Sequence, residues 1–166
     1  HRRVQPAMPV LRALVVVDIA PQVERKGVEQ IRQFVTANNE LDSFEEFVTR
    51  AHAFNPRRSL DNIRERLRHN LRRLENGRWT WKYDPALRNP ARTTGDIGTL
   101  WDRLAAIRCP VLVVRGGESD VLAPETAARL ATLVHAEVRT VPGAGHSVMG
   151  DNPSGFLTAV EPFLAA

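Results

Sequence analysis

The hydrophobic residues of this 166-residue chain occur in two kinds of pattern, short continuous runs and longer stretches with helical spacing. Short runs of apolar, mostly β-branched residues are typical of strands that are buried on both faces of a parallel sheet. Three such strands are predicted, at Leu11 to Val17, Val111 to Val114 and Val138 to Val141. The chain therefore predicts a parallel sheet of about three strands.

Apolar residues at helical spacing predict several helices between and after these strands. Three lie between the first two strands: one around Val28 to Val35, one opened by the capping box Ser43-Phe44-Glu45-Glu46, and one from Ser59 to Glu75. Asn76-Gly77 is expected to end the third of these through a left-handed cap. A helix from Asp96 to Ile107 is expected to lead into the second strand, and Asp151-Asn152-Pro153 to cap a final helix.

Polar residues with catalytic chemistry follow the ends of the predicted strands. Asp120 lies in the loop after the second strand, at the edge where catalytic groups gather in open α/β sheets. His146 follows the third strand, after a turn in which Gly143 and Gly145 allow the backbone to bend tightly. A carboxylate after one strand and a histidine after the next are what a hydrolase needs to orient and use a general base.

Taken together, these pieces resemble the C-terminal half of the α/β-hydrolase fold. The matching segments are Leu14-Val15-Val16-Val17-Asp18-Ile19-Ala20-Pro21, Cys109 to Gly117, Asp120 with Pro124, and Gly145-His146. The resemblance implies an α/β fold, the C-terminal part of a doubly wound sheet with a helical cap insertion. It implies that residues 1–21 and 96–166 form a partial core and that residues 22–95 form a cap over the substrate pocket.

The same resemblance assigns roles to individual side chains. It makes Asp120 the acid of a catalytic triad and His146 the general base, whereas the alternative for each is an ordinary turn or loop residue. Some haloalkane dehalogenases of this fold place the acid after the preceding strand, so Asp18 is the second-choice acid, or else a structural carboxylate. Candidate pocket walls, which could equally be simple cap packing, are Trp79, Trp81, Tyr83 and Phe54.

The nucleophile that such a base would activate is not recognisable in the sequence. The family's nucleophile elbow has the pattern G-x-S-x-G on a strand-to-helix turn, and no such string occurs. The nearest string, Gly145 to Gly150, has Met149 where a glycine is required, so Ser147 is interpreted as a neighbour of the base. The nucleophile and the oxyanion hole are therefore expected before residue 1, in a longer hydrolase or in a partner chain.

By resemblance, the function is hydrolysis of a small apolar ester, lactone or related carbonyl substrate through a nucleophile–His–Asp triad, without a cofactor. This chain alone is expected to be inactive. Haloalkane dehalogenases, C–C hydrolases and perhydrolases are further possibilities within the fold. The alternatives are a non-catalytic ligand-binding or interaction fragment, and one half of a split hydrolase that an N-terminal half or a homo-oligomer completes.

Composition narrows these functions further. The net charge of +4 comes mainly from arginine, and without aromatic interleaving or a known module it argues against a nucleic-acid partner. No apolar run reaches membrane-spanning length, so no membrane partner is expected. The single cysteine, Cys109, fits a reducing cytoplasm. His52, His69 and His135 have no metal-ligand spacing, so we expect no metal and no cofactor.

Overall fold

The computed structural model describes residues 11–88 and 99–166. The strands are β1 (Leu14–Val17), β2 (Glu40–Leu41), β3 (Leu71–Arg73), β4 (Trp79–Trp81), β5 (Val111–Gly116) and β6 (Glu137–Val141). The helices are α1 (Arg25–Thr36), α2 (Phe44–Phe54), α3 (Leu60–Asn70), α4 (Leu100–Leu104), α5 (Pro124–Val134), α6 (Val148–Asp151) and α7 (Pro153–Leu164), and a short 3-10 helix spans Pro85–Arg88.

The main sheet is parallel and has the strand order β1-β5-β6, as the hydrophobic runs predict. Leu14 pairs with Val111 at one end of the sheet, and Gly116 pairs with Val141 at the other. All six residues of β5 are buried, which explains why its sequence lacks the alternation of a half-exposed strand.

Helices cover both faces of this sheet. On one face, Val111 and Val113 pack with Leu130 and Ala131 of α5. On the other face, Leu112 and Val114 belong to a cluster with residues of α7. These two layers are the doubly wound arrangement expected of an α/β sheet.

The segment between β1 and β5 builds a second, smaller body. Its sheet is antiparallel with the order β2-β4-β3, and α2 and α3 pack on it around Phe47, Ile63 and Leu67. The predicted capping box starts α2, since the Ser43 hydroxyl accepts a hydrogen bond from the Glu46 amide at 3.2 Å. These elements lie within residues 22–95, and their role as a cap is still a prediction.

The prediction of one long helix from Ser59 to Glu75 is wrong beyond Asn70. Leu71 begins strand β3, which pairs with β4 through Leu71 opposite Trp81. Asn76-Gly77 is therefore the turn of a hairpin, not a helix cap, and Gly77 has a φ of +84° that favours glycine. Backbone hydrogen bonds close this hairpin, and in one of them Leu74 N donates to Arg78 O at 2.8 Å.

The remaining boundaries differ from the prediction in smaller ways. Strand β1 begins at Leu14, not at Leu11, and β5 extends to Gly116. The described part of the predicted helix from Asp96 to Ile107 is the short α4, and residues 96–98 lie outside the described residues. The Asn152 side chain caps α7 by accepting a hydrogen bond from the Gly155 amide at 2.9 Å, within the predicted capping segment.

Candidate active site

The carboxyl ends of β1, β5 and β6 meet at one edge of the parallel sheet, and the loops that follow them are joined by backbone hydrogen bonds. Gly117 N donates to Val141 O at 2.8 Å, and Glu118 N donates to Ala144 O at 2.9 Å. A Cβ at Gly116 would lie 2.6 Å from Ala144 O, closer than real Cβ contacts, so this approach requires a glycine. The loop that carries His146 is therefore held directly against the end of β5.

Asp18 is the residue that follows β1, and its carboxylate is fully buried at this edge. Its φ of +50° is unusual for a residue other than glycine. Asp18 Oδ1 accepts a hydrogen bond from Gly116 N at 2.8 Å, and Oδ2 accepts one from Ser119 Oγ at 2.5 Å. A buried carboxylate is costly unless it is hydrogen-bonded, and these donors provide that compensation.

The imidazole of His146 binds this same carboxylate. Its Nδ1 lies 3.0 Å from Asp18 Oδ2, and 38% of the His146 side chain is exposed. The hydrogen bond to Asp18 raises the pKa of His146 above its usual value, although burial acts in the opposite direction. Contact at Nδ1 fixes the ring orientation and leaves Nε2 to act on another group, which is the arrangement of a general base in a hydrolase triad.

Asp120, the first-choice acid from the sequence, lies elsewhere in the same site. It is exposed and lines a cavity together with His146, but the residues that the structure describes include no hydrogen bond between the two side chains. The negative charge of Asp120 makes only a lesser contribution to raising the pKa of His146. The structure thus pairs His146 with Asp18, the second-choice acid, because the Gly116 amide and Ser119 hydroxyl hold that carboxylate beneath the imidazole.

The side chain of Arg115 holds the loop between β5 and α5 in place through hydrogen bonds. This buried guanidinium donates to the carbonyl oxygens of Leu122, Gly117 and Ser119, at 2.8, 3.3 and 3.3 Å. Ser119 Oγ in turn accepts from the Val121 amide at 3.1 Å while donating to Asp18. The sequence does not single out Arg115 as a site residue, because its hydrogen bonds to these carbonyl oxygens form only in the folded loop.

A cavity of about 400 Å³ opens beside His146. Residues of α1 and of the end of α2 with the loop after it line this cavity together with the histidine. They include Gln30, Ile31, Phe34, Phe54, Asn55 and Arg57.

Of the four aromatic residues proposed as pocket walls, two line the His146 cavity or the cavity beside it, and two pack against other aromatic rings. Phe54 lines the His146 cavity, and Trp81 lines a neighbouring cavity of about 230 Å³. Trp79 packs edge-on against Phe44, and Tyr83 contacts the ring of Trp81 with centroids 5.5 Å apart. Phe34, which the helical pattern placed only in a helix, stacks on Phe54 at 4.4 Å and lines both cavities.

Asp151 connects the His146 loop to the smaller body. Its Oδ2 accepts from Gly145 N at 3.0 Å, and its Oδ1 accepts from Asn55 Nδ2 at 2.7 Å and from Arg58 Nε at 2.8 Å. The side chains of Asp151 and Arg58 are only 2% and 9% exposed. The sequence suggested only helix capping for Asp151, because its partners are about ninety residues away.

Among the described residues, His146 Nε2 has no hydrogen-bond partner, so it is available to a nucleophile or to water. The hydroxyl of Ser119 is engaged by Asp18, and Ser147 directly follows the histidine. Cys109 precedes β5 and therefore lies at the opposite, amino end of a six-residue strand. A strand of that length spans roughly 20 Å, which separates this thiol from the site.

The fold and this edge of the sheet define an α/β hydrolase, and comparison with known proteins leads to the same class. The model of the alpha/beta hydrolase family matches residues 5–159, and the chain belongs to that family. It is 32% identical to esterase Rv0045c of Mycobacterium tuberculosis over 160 residues, covering 91% of this chain and 52% of the relative. It is 30% identical to a 3-hydroxybutyrate-oligomer hydrolase of Cupriavidus necator, covering 97% of this chain and 59% of the relative.

Solved structures give the same result. A structure of the M. tuberculosis esterase superposes with a TM-score of 0.75 at 30% identity, covering 94% of this chain and 55% of that chain. E-2-(acetamidomethylene)succinate hydrolase has a TM-score of 0.77 at 23% identity, over 94% of this chain and 58% of the other, and supports the fold alone. The chain thus spans about half the length of the curated relatives that it matches.

Within the described ranges, no helix is long and apolar enough to cross a membrane.

Proposed function

We propose that this chain provides the acid and the general base of an esterase-like hydrolase that acts on small apolar ester, lactone or related carbonyl substrates. The observation that carries the proposal is the contact of 3.0 Å between His146 Nδ1 and the fully buried Asp18 carboxylate. The esterase and the oligomer hydrolase among the relatives support a carboxylic ester as the substrate class.

In this mechanism His146 Nε2 takes the proton of the attacking nucleophile and gives it to the leaving alcohol oxygen as the covalent acyl intermediate forms. It then takes a proton from the water that hydrolyses this intermediate and returns it to the nucleophile as the product acid leaves. Asp18 holds the imidazole in the orientation that exposes Nε2, and its charge stabilises the imidazolium while the proton is held. Ser119 and the Gly116 amide keep the carboxylate in place by donating to its two oxygens. Asp120 adds negative charge to the cavity without a hydrogen bond to the base.

The nucleophile and the oxyanion donors belong, in this proposal, to sequence outside these 166 residues. That sequence is either the remainder of one longer hydrolase or a separate N-terminal half. Strand β1 supports both arrangements, because its described pairing is with β5 alone and its other edge is available for a further strand.

The test is hydrolysis of p-nitrophenyl acetate and butyrate by the purified chain, by the chain completed with the nucleophile-bearing segment, and by His146→Ala and Ser147→Ala variants of both. In the completed protein, His146→Ala is expected to reduce kcat by about 10²–10⁴-fold, the usual contribution of a general base. Ser147→Ala is expected to reduce kcat only slightly. The isolated chain is expected to show no turnover above its His146→Ala control.

Three results would decide against parts of this proposal. An active His146→Ala variant of the completed protein would contradict the role of His146 as the base. His146-dependent turnover by the isolated chain would show that a nucleophile lies within these residues, and Ser147 and Ser119 would be examined first. Ligand binding without turnover in the completed protein would favour the alternative of a non-catalytic binding module.

A further inference from the structure

Two guanidinium groups of the smaller body, those of Arg58 and Arg66, converge on the backbone of Gly150. A Cβ at Gly150 would overlap Arg58 Nη2 and would lie 2.9 Å from Arg66 Nη1. Arg58 directly precedes the N-cap residue of α3, and Arg66 lies within that helix. The absence of a side chain at Gly150 thus gives both cations room to approach the turn that follows His146.

The charges of these two arginines are not equally compensated. Arg58 forms a buried ion pair with Asp151 at 2.8 Å. The side chain of Arg66 has no ion pair and no hydrogen bond within the described part of the chain. Burial and the positive charge of Arg58 lower the pKa of Arg66, whereas the negative charge of Asp151 acts in the opposite direction. Two arginines and one carboxylate therefore leave a net positive charge at this point.

This charge borders the cavity of about 230 Å³, which Arg58 and Arg66 line together with Asn70 and Trp81. That cavity adjoins the cavity of His146, and the two share four lining residues. The shared residues are Phe34, Phe54, Asn55 and Ser147. A ligand that extends from His146 past the two stacked phenylalanine rings would reach Arg66.

We propose that Arg66, assisted by Arg58, forms an anion-binding subsite. This subsite binds a carboxylate or phosphate group at the far end of an elongated substrate. Guanidinium groups suit both anions, since their N–H donors match two oxygens at once. The apolar part of such a ligand would lie on Phe34, Phe54 and Trp81. That the ligand is a substrate rests on the proposed function, whereas the binding of the anion does not.

Binding to the 166-residue chain tests this subsite without requiring turnover. The probes are monomethyl adipate, which has a carboxylate, hexyl phosphate, and the uncharged dimethyl adipate as the matched control. Binding is followed by NMR at the Gly150 amide and the Arg66 side-chain Nε–H. At least one anionic probe is expected to bind about 10- to 100-fold more tightly than dimethyl adipate, as a charge-assisted hydrogen bond predicts.

Variants link this preference to the proposed residues. Arg66→Gln is expected to remove this preference. Arg68→Gln, in the same helix but paired with Glu65 and lining neither of the two cavities, is expected to preserve it. Gly150→Ala provides a second test, because the added methyl group would meet the guanidinium ends of Arg58 and Arg66 and not the backbone. It is expected to weaken binding of the anionic probes and to leave binding of dimethyl adipate unchanged.

The outcomes separate the subsite from the proposed activity. Preference for monomethyl adipate assigns a carboxylate to the subsite, and preference for hexyl phosphate assigns a phosphate. Equal binding of all three probes, or an anion preference that Arg66→Gln does not alter, would overturn the subsite. If anion binding depends on Arg66 but the completed protein hydrolyses no ester, the subsite is supported and the proposed function is contradicted.

Discussion

At the scale of single residues, the site depends on a buried carboxylate beneath a partly exposed imidazole. Asp18 receives hydrogen bonds from the Gly116 amide, the Ser119 hydroxyl and His146, so both of its oxygens are engaged. Such a carboxylate cannot turn away from the histidine without losing bonds in a buried setting, where an unpaired charge is costly. The imidazole is thereby oriented before any substrate arrives.

The raised pKa of His146 predicts how stability depends on pH. Below the unfolded pKa of about 6.5, His146 is protonated in both states and its contact with Asp18 contributes fully. As the pH rises from there through the higher folded pKa, the folded state binds more protons than the unfolded state, and this contribution is lost. The free energy of unfolding gained from His146 should therefore decrease as the pH rises through this window.

Urea unfolding of the wild type and of His146→Gln between pH 5.5 and pH 8.5 measures this contribution as a difference. His69→Gln, which removes a largely exposed imidazole, serves as the control. A difference between wild type and His146→Gln that grows with pH would contradict the assigned direction of the pKa shift.

At the scale of elements, helix α1 is placed against the Asp120 loop through Gly27. A Cβ at this position would overlap the backbone carbonyl of Asp120 and would lie 2.9 Å from Val121 Cγ2. The Glu24 amide also donates to Val121 O at 2.8 Å, so the start of α1 is fixed to the loop after β5. This contact forms part of the wall of the His146 cavity.

Gly27→Ala should therefore destabilise the chain, although alanine normally favours a helix over glycine. We expect a loss of about 1–3 kcal/mol in the free energy of unfolding, the usual cost of forcing a methyl group into a packed contact. Lys26→Ala, at the adjacent exposed position of the same helix, is the control and should change stability by less than about 0.5 kcal/mol. Both values come from urea unfolding, and a stabilised Gly27→Ala variant would show that this contact is not tight.

The elements also indicate how far sequence reasoning reached. The parallel strands and the capped helices were predictable, because continuous apolar runs and capping residues act over a few neighbouring positions. The hairpin of β3 and β4 was not, since Leu71 continues the apolar spacing of α3 and only pairing with Trp81 turns the segment into a strand. The choice between Asp18 and Asp120 likewise depended on a serine hydroxyl more than a hundred positions away along the chain from Asp18.

At the scale of the whole molecule, the chain combines a parallel sheet, whose edge carries Asp18 and His146, with a smaller body that lines the same cavity as His146. The described part of the main sheet has three strands, and the chain spans about half the length of its curated relatives. An apolar cavity of about 400 Å³ borders the β1 side of the sheet, lined by residues such as Val16, Ile19 and Leu104. We therefore expect any completing segment to pair with β1 and to cover these side chains.

The most direct test of the account is an NMR titration of the His146 imidazole in the 166-residue chain, in the Asp18→Asn variant and in the Asp120→Asn variant. Asparagine has the shape of aspartate, and its side-chain oxygen can still accept the Gly116 amide, so Asp18→Asn is designed to keep the fold. The account predicts that Asp18→Asn lowers the pKa of His146 markedly and that Asp120→Asn lowers it only slightly. A larger decrease with Asp120→Asn would contradict it and would make Asp120 the acid that serves His146.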